Sequence, residues 1–229
     1  MFLKIGHRGA AGLEPENTLT SFAKAIDLGV DMVELDVHLT KDKKLIVIHD
    51  DKLNRTTNGR GLVKNKTLKQ IKKLCIGKKE IIPTLEEVFD LVNKRVIINI
   101  ELKGRGIAKP VARIVKKYVR DKKWPLSCFF ASSFKEKELR DFKKLCPKIK
   151  LGLIAKDKKT DFVKSAKRLG AFSLNLSFKL INKKIIKDLH NQGFKVFVWT
   201  INKKNNIKKI KSLGVDGIVS DFPNKFNAK

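Results

Sequence analysis

The chain has 229 residues, 52 of them Lys or Arg against 23 Asp or Glu, for a formal net charge of +29. Its 42% hydrophobic content excludes a wholly disordered chain, and its charge balance excludes an acidic solvating protein. The length suits one large α/β domain or two small ones, with a single barrel of about 250 residues within reach.

Strand-like apolar runs alternate with amphipathic stretches along the chain. Phe2–Ile5 comes first, followed by His7, Arg8 and Gly9 and a helical stretch over 18–28 that Gly29 closes. Met32–Val37 is next, with Glu34 and Asp36 two apart and therefore on one face of a strand. Residues 40–44 join it to Leu45–Ile48. So short a link can close a hairpin, whereas a parallel crossover needs about a dozen residues, so this run is antiparallel and ends at His49 and Asp50. Residues 50–83 form a polar excursion too long for an ordinary loop, and so are expected to be functional or partly helical.

A helix over 84–93 then opens with Thr84, Glu86 and Glu87, an N-terminal pattern. Val96–Ile100 leads to Glu101 and Lys103, again two apart. The alternation continues through 108–120, Cys128–Ala131, 135–145, Leu151–Ile154, 160–169, Phe172–Leu176, 182–192, Val196–Trp199, 203–213 and Gly217–Val219, with Gly170, Gly193 and Gly214 as helix stops. Setting the antiparallel run aside leaves eight parallel strands. The expected fold is α/β: a single TIM (β/α)8 barrel over 1–229, with a β-hairpin and the inserted 50–83 segment after the second strand.

The excess charge is uneven. Residues 1–60 hold nine basic and nine acidic side chains, so all of the +29 lies in the remainder. Among the basic residues 43 are Lys and nine are Arg; specific base and phosphate readout favours Arg, so no specific nucleic-acid partner is expected. Cys75, Cys128 and Cys146 have no CxxC spacing and suggest neither a disulfide framework nor a zinc site. No apolar run approaches the roughly 18 residues of a membrane span, and no signal-peptide pattern is visible, which leads to the expectation of a cytoplasmic protein.

In a barrel the reactive groups gather at the C-terminal strand ends. His7 and Arg8, Glu34 and Asp36, His49, Glu101 and Lys103, Trp199 to Asn202, and Ser220 with Asp221 all fall there. Three carboxylates together repel unless protonated, paired or bound to a cation, and an all-oxygen set suits Mg²⁺ or Ca²⁺. Salt bridges to Arg8 and Lys103 are the competing explanation. His7 and His49 on the same rim can serve as general base and general acid, while His38 and His190 are read as structural. Arg8 and Lys103 suit an anionic substrate, above all a phosphate ester.

The ordered set of motifs resembles the glycerophosphodiester phosphodiesterases, of the phosphatidylinositol-phospholipase-C-like barrel superfamily. It runs through His7-Arg8-Gly9, Glu16-Asn17-Thr18, Glu34-Leu35-Asp36-Val37, Leu39-Thr40-Lys41-Asp42, His49-Asp50, Asn54-Arg55-Thr56-Thr57 with Gly59, Pro83-Thr84-Leu85, Glu101-Leu102-Lys103, Trp199-Thr200-Ile201-Asn202 and Ser220-Asp221-Phe222-Pro223. Lys43 stands where the family often has Gly in the hairpin turn. The resemblance implies metal ligation by Glu34, Asp36 and Glu101, with His7 and His49 as acid–base pair and Arg8 and Lys103 on the phosphate. It further implies that Glu16 supports the site and Trp199 lines the substrate pocket. The implied reaction is metal-dependent hydrolysis of a small-molecule glycerophosphodiester to an alcohol and sn-glycerol 3-phosphate, by direct attack of water or through a cyclic phosphate. Lysophospholipase D action on lysophospholipids at a membrane surface is the alternative. A basic binding module is the competing class, resting on Lys72/Lys73, Lys78/Lys79 and the helix with Lys203, Lys204, Lys208, Lys209 and Lys211; weak association with anionic membrane is the most it adds to catalysis.

Overall fold

The computed structural model describes residues 2–77, 79–157 and 161–226. Lys78 of the second basic pair and Thr160 at an expected helix start lie outside them.

The elements follow the expected alternation. β1 (Leu3–Gly6), α1 (Leu19–Asp27), β2 (Met32–Leu39) and β3 (Leu45–Val47) precede the excursion, which contains α2 (Leu68–Ile71), β4 (Cys75–Ile76) and β5 (Glu80–Ile81). Then come α3 (Leu85–Val92), β6 (Ile97–Leu102), α4 (Ala108–Asp121), β7 (Phe129–Ser133), α5 (Glu136–Leu145), β8 (Lys150–Ala155), α6 (Phe162–Leu169), β9 (Ser173–Ser177), α7 (Lys183–Asn191), β10 (Lys195–Trp199), α8 (Lys204–Ser212) and β11 (Gly217–Ser220).

Eight strands pair in parallel in the order β1-β11-β10-β9-β8-β7-β6-β2, and pairing of β1 with β2 closes the ring. The molecule is therefore a TIM barrel. β3 lies outside the ring, antiparallel on β2, with Val37 opposite Val47 and Leu39 opposite Leu45. The five-residue hairpin argument thus gives the right strand to set aside. Lys43 adopts φ 59°, so the turn takes the left-handed conformation with Lys where Gly would fit more easily.

Strand alternation sorts the side chains. Along β2, Val33, Leu35 and Val37 pack outward into the helix-facing core with Phe22, Val88 and Phe89. The other face carries Met32, Glu34 and Asp36 inward. Deep inside the barrel Ile5, Met32, Phe130, Phe197 and Val219 form an apolar plug. The interior is therefore apolar below and charged towards the C-terminal ends.

Helix ends follow local chemistry. Thr18 accepts from Ser21 N at the start of α1, and Thr84 forms a reciprocal capping box with Glu87 at the start of α3. Gly170 closes α6 at φ 55°. The excursion is a folded appendage: Ile46, Ile48, Leu53, Val63, Ile71, Ile76 and Ile82 share a second core cluster. A further capping box, Thr67 with Gln70, starts α2.

Candidate active site

Each of the nine sequence-assigned residues lies at the C-terminal mouth of the barrel. His7, Arg8, Glu34, His49, Glu101, Lys103 and Trp199 line a cavity of about 160 Å³ there. Asp36 is packed against this wall between Arg8 and Lys103, and Glu16 stands behind Arg8.

Register fixes the carboxylates. β2 and β6 pair with Glu34 opposite Asn99 and Asp36 opposite Glu101, so all three acids share one wall. They are buried, and one oxygen from each lies within 4.8 Å of the others. Glu34 Oε1, Asp36 Oδ1 and Glu101 Oε1 are buried without a hydrogen-bond partner. Lys103 Nζ stands 2.8 Å from Glu101 Oε1 and 3.3 Å from Asp36 Oδ1, as an ion pair rather than an aligned hydrogen bond. The second oxygens of Glu34 and Asp36 are engaged: Arg8 N donates to Glu34 Oε2 at 3.0 Å, and Asn17 Nδ2 to Asp36 Oδ2 at 3.0 Å.

The electrostatics follow from crowding. Burial pushes the Glu34 carboxyl well above the usual range, and Asp36 and Glu101 push it further. Burial and Asp36 raise Glu101 to about 7. Burial works the same way on Asp36, but Lys103 and Arg8 outweigh it and hold that carboxyl low. Such a set is strained by its own charge in the absence of a cation. Three buried carboxylate oxygens this close together, with a single lysine shared between two of them, are a donor set that a hard divalent cation fits.

The two histidines are held alike. His7 Nδ1 meets Asp221 Oδ1 at 2.5 Å, and Asn202 Nδ2 donates to the other oxygen of Asp221 at 2.5 Å. His49 Nδ1 meets Asp50 Oδ1 at 2.5 Å. In each case the carboxylate takes Nδ1 and leaves Nε2 for the cavity. Burial, with Lys103 and Arg8, holds His49 below its ordinary value against the pull of Asp36 and Asp50. His38, read as structural, places its Nε2 3.1 Å from the His49 carbonyl oxygen, and so braces the backbone that carries His49.

The first βα loop presents Arg8 in a left-handed backbone conformation, φ 50°, which is costly for a residue with a side chain. Its carbonyl oxygen accepts from Asn17 N and Ser21 Oγ, which hold the turn. Gly9 follows at φ 85°, where a Cβ would stand 2.5 Å from Ser21 Oγ. Arg8 Nη1 donates to Glu16 at 2.9 Å. Arg55 then bridges outward, donating to both oxygens of Glu16 at 2.8 Å and to Asp50 at 2.7 Å and 3.2 Å. Asp50, Arg55 and Asn202 belong to the sequence motifs, yet the sequence alone assigns them no role. Their partners lie up to 39 positions away, and only the adjacency of Asp50 to His49 is a local signal.

Opposite the carboxylates the wall turns apolar. Trp199 Nε1 donates to the Asn175 carbonyl at 2.9 Å, and Phe134 meets the indole edge-on at 5.7 Å.

Reactive polar groups gathered on the C-terminal face of a parallel ring define a barrel enzyme. The family can be given more narrowly. The chain belongs to the glycerophosphoryl diester phosphodiesterase family, whose profile matches residues 7–225. A protein of Caldanaerobacter subterraneus named glycerophosphodiester phosphodiesterase is 39% identical, over 96% of this chain and 94% of its own. An Oleispira antarctica phosphodiesterase, solved in complex with the product sn-glycerol-3-phosphate, superposes with a TM-score of 0.89 at 31% identity, over 96% of this chain and 93% of its own. A more distant human relative, 29% identical over 96% of this chain and 83% of its own, is named lysophospholipase D.

Proposed function

We propose that the chain hydrolyses glycerophosphodiesters to an alcohol and sn-glycerol 3-phosphate, with a divalent cation, Mg²⁺ or Ca²⁺, held by Glu34, Asp36 and Glu101. The observation that carries this reading is the set of three buried carboxylate oxygens brought together on one wall, with Lys103 the one ion-pair partner of two of them, beside two histidines whose Nδ1 atoms are already committed. The cation supplies positive charge where negative charge accumulates on the phosphoryl oxygens.

The residues divide the work. Arg8 and Lys103, at the cavity wall, bind and orient the phosphodiester. His49, held neutral by burial and two neighbouring cations, takes the proton from the nucleophile. His7, oriented by Asp221, gives a proton to the departing alkoxide. Glu16 steadies Arg8, and Trp199 closes the apolar side. Where the nucleophile is the glycerol 2-hydroxyl, its proximity favours a cyclic phosphate that water later opens.

The second reading, lysophospholipase D action at a membrane surface, draws on Phe134 and Phe178, which are exposed and follow β7 and β9 at the same end of the barrel. Glycerophosphocholine and lysophosphatidylcholine assayed side by side distinguish the two. Turnover of the first and loss with EDTA are expected; turnover that survives full chelation, or wild-type turnover by Glu101→Gln, defeats the metal site.

A further inference from the structure

The cavity has polar groups beside the carboxylates that the proposed hydrolysis does not use. Asn99 on β6 and Ser132 on β7 line it at 3% and 0% exposure. Asn99 Oδ1 and Ser132 Oγ are buried with no hydrogen-bond partner. Register sets their heights: Ser132 lies beside Glu101, and Asn99 lies beside Glu34, one inward position below Glu101. Gly152, the neighbour of Ser132 on β8, lets the Asn175 side chain and the Phe130 ring pack close against the strand, since a Cβ there would stand 2.8 Å from Asn175 Nδ2 and 2.9 Å from the Phe130 ring.

The next layer down is the apolar plug of Ile5, Met32, Phe130 and Phe197. Apolar residues at positions 99 and 132 would continue that plug at no desolvation cost. Polar groups left unpaired there disfavour the folded state, so their partner comes from the cavity side.

We propose that Asn99 and Ser132 form a subsite for the hydroxyls of the substrate's glycerol moiety, and so select the polyol rather than the leaving alcohol. Asn99 Oδ1 accepts only, while Ser132 Oγ both donates and accepts; alcohol hydroxyls answer both. A quaternary ammonium or an acyl chain answers neither and would leave both buried groups unpaired. A cavity of about 160 Å³ has room for a three-carbon polyol beside its phosphate. This assignment rests on the phosphodiesterase reading of the site.

The test is calorimetric binding of sn-glycerol 3-phosphate and of methyl phosphate, with Mg²⁺ present, to wild type, Ser132→Ala and Asn99→Ala. Methyl phosphate keeps the phosphate monoester and lacks the hydroxyls. The wild type is expected to prefer glycerol phosphate by about tenfold or more, and each variant to lose most of that preference. The Tm of Ser132→Ala should be unchanged or higher, because an unpaired buried hydroxyl has been removed; a structural role would lower it. The subsite is overturned by variants that keep the preference, by a wild type that shows none or binds neither ligand, or by a lower Tm with both ligands weakened alike. Wild-type turnover of bis(4-nitrophenyl) phosphate and glycerophosphocholine reports the underlying reading separately. Turnover without hydroxyl preference defeats the subsite alone, and no turnover of either ester defeats the phosphodiesterase reading.

Discussion

Asp50 shows how much one side chain decides at this site. It accepts from His49 Nδ1 on one side and from Arg55 on the other, and Arg55 holds its carboxyl well below the usual range. Asp50 pulls the His49 pKa upward against burial, Lys103 and Arg8. In Asp50→Asn that pull is gone, so His49 protonates at lower pH. The acid limb of kcat/KM should therefore move to lower pH, while the plateau falls by about tenfold or more as the imidazole loses its orientation. A pH–rate profile of the variant decides this; an acid limb that stays put or moves up would show that His49 does not set it. Individual identities at this scale were largely legible in the sequence, because a strand's period of two puts Glu34 with Asp36, and Glu101 with Lys103, on common faces. The orphaned floor residues were not legible: Asn99 and Ser132 look like ordinary polar residues in apolar runs until register places them against the cavity.

At the scale of elements, the excursion is a folded support for the site. Its Arg55 ties Asp50, behind His49, to Glu16, behind Arg8, so one guanidinium braces both the proposed base and the proposed phosphate ligand. Arg55 is 48% exposed, and ion pairs this open add little to stability, about 0–1 kcal/mol. Arg55→Met is therefore expected to change Tm by only a few degrees while lowering kcat/KM about tenfold, with Arg55→Lys recovering part of the loss; a large fall in Tm with kcat/KM unchanged would make Arg55 a structural strut only. Hydrophobic periodicity made the nine main strands and seven outer helices readable to within a residue or two at most ends. The length of the excursion pointed to partial helix there, as α2 is, but periodicity could not place α2, β4 or β5, because such short elements carry too few residues for a period. They are held by long-range packing instead: Ile71 and Ile76 join Ile46 and Leu53 in a cluster of their own. A buried isoleucine there truncated to alanine costs about 2–5 kcal/mol. Ile71→Ala should thus lower Tm and, by loosening the segment that carries Arg55, activity with it; chemical denaturation alongside a steady-state assay checks both.

For the whole molecule, the net charge of +29 and the negative centre oppose one another. Lysines on the outer helices, such as Lys203, Lys208, Lys209 and Lys211 of the segment around α8, lie on exposed faces and leave Ile207 and Ile210 buried, as solvated helix faces do. Among the described residues no helix is long and apolar enough to cross a membrane. The basic surface repels itself at low ionic strength, so added salt of any kind should stabilise the fold somewhat. A divalent cation should do more, through Glu34, Asp36 and Glu101, and the pH dependence separates the two effects. Glu101 is raised from 4.5 to about 7, and Glu34 is raised as well. Between about pH 4.5 and 7 the folded state therefore holds protons that the unfolded state has released, and metal-free stability falls as pH rises through that window. Asp36, Glu16 and Asp221 are depressed, so their contribution is present above the unfolded carboxylate range and lost only at lower pH. A bound cation replaces those protons and stabilises by about 2.7 kcal/mol at a hundredfold excess over Kd, roughly 5–10 °C in Tm for a chain of this size. At constant ionic strength, the Tm gain from Mg²⁺ or Ca²⁺ should be larger at pH 8 than at pH 5.5, where protons compete for the same oxygens. Differential scanning fluorimetry of the wild type and a Glu34→Gln/Glu101→Gln variant measures it. An equal gain at both pH values, or one that persists in the double variant, would mean that the cation acts as a surface electrolyte and that the carboxylate wall is not its site.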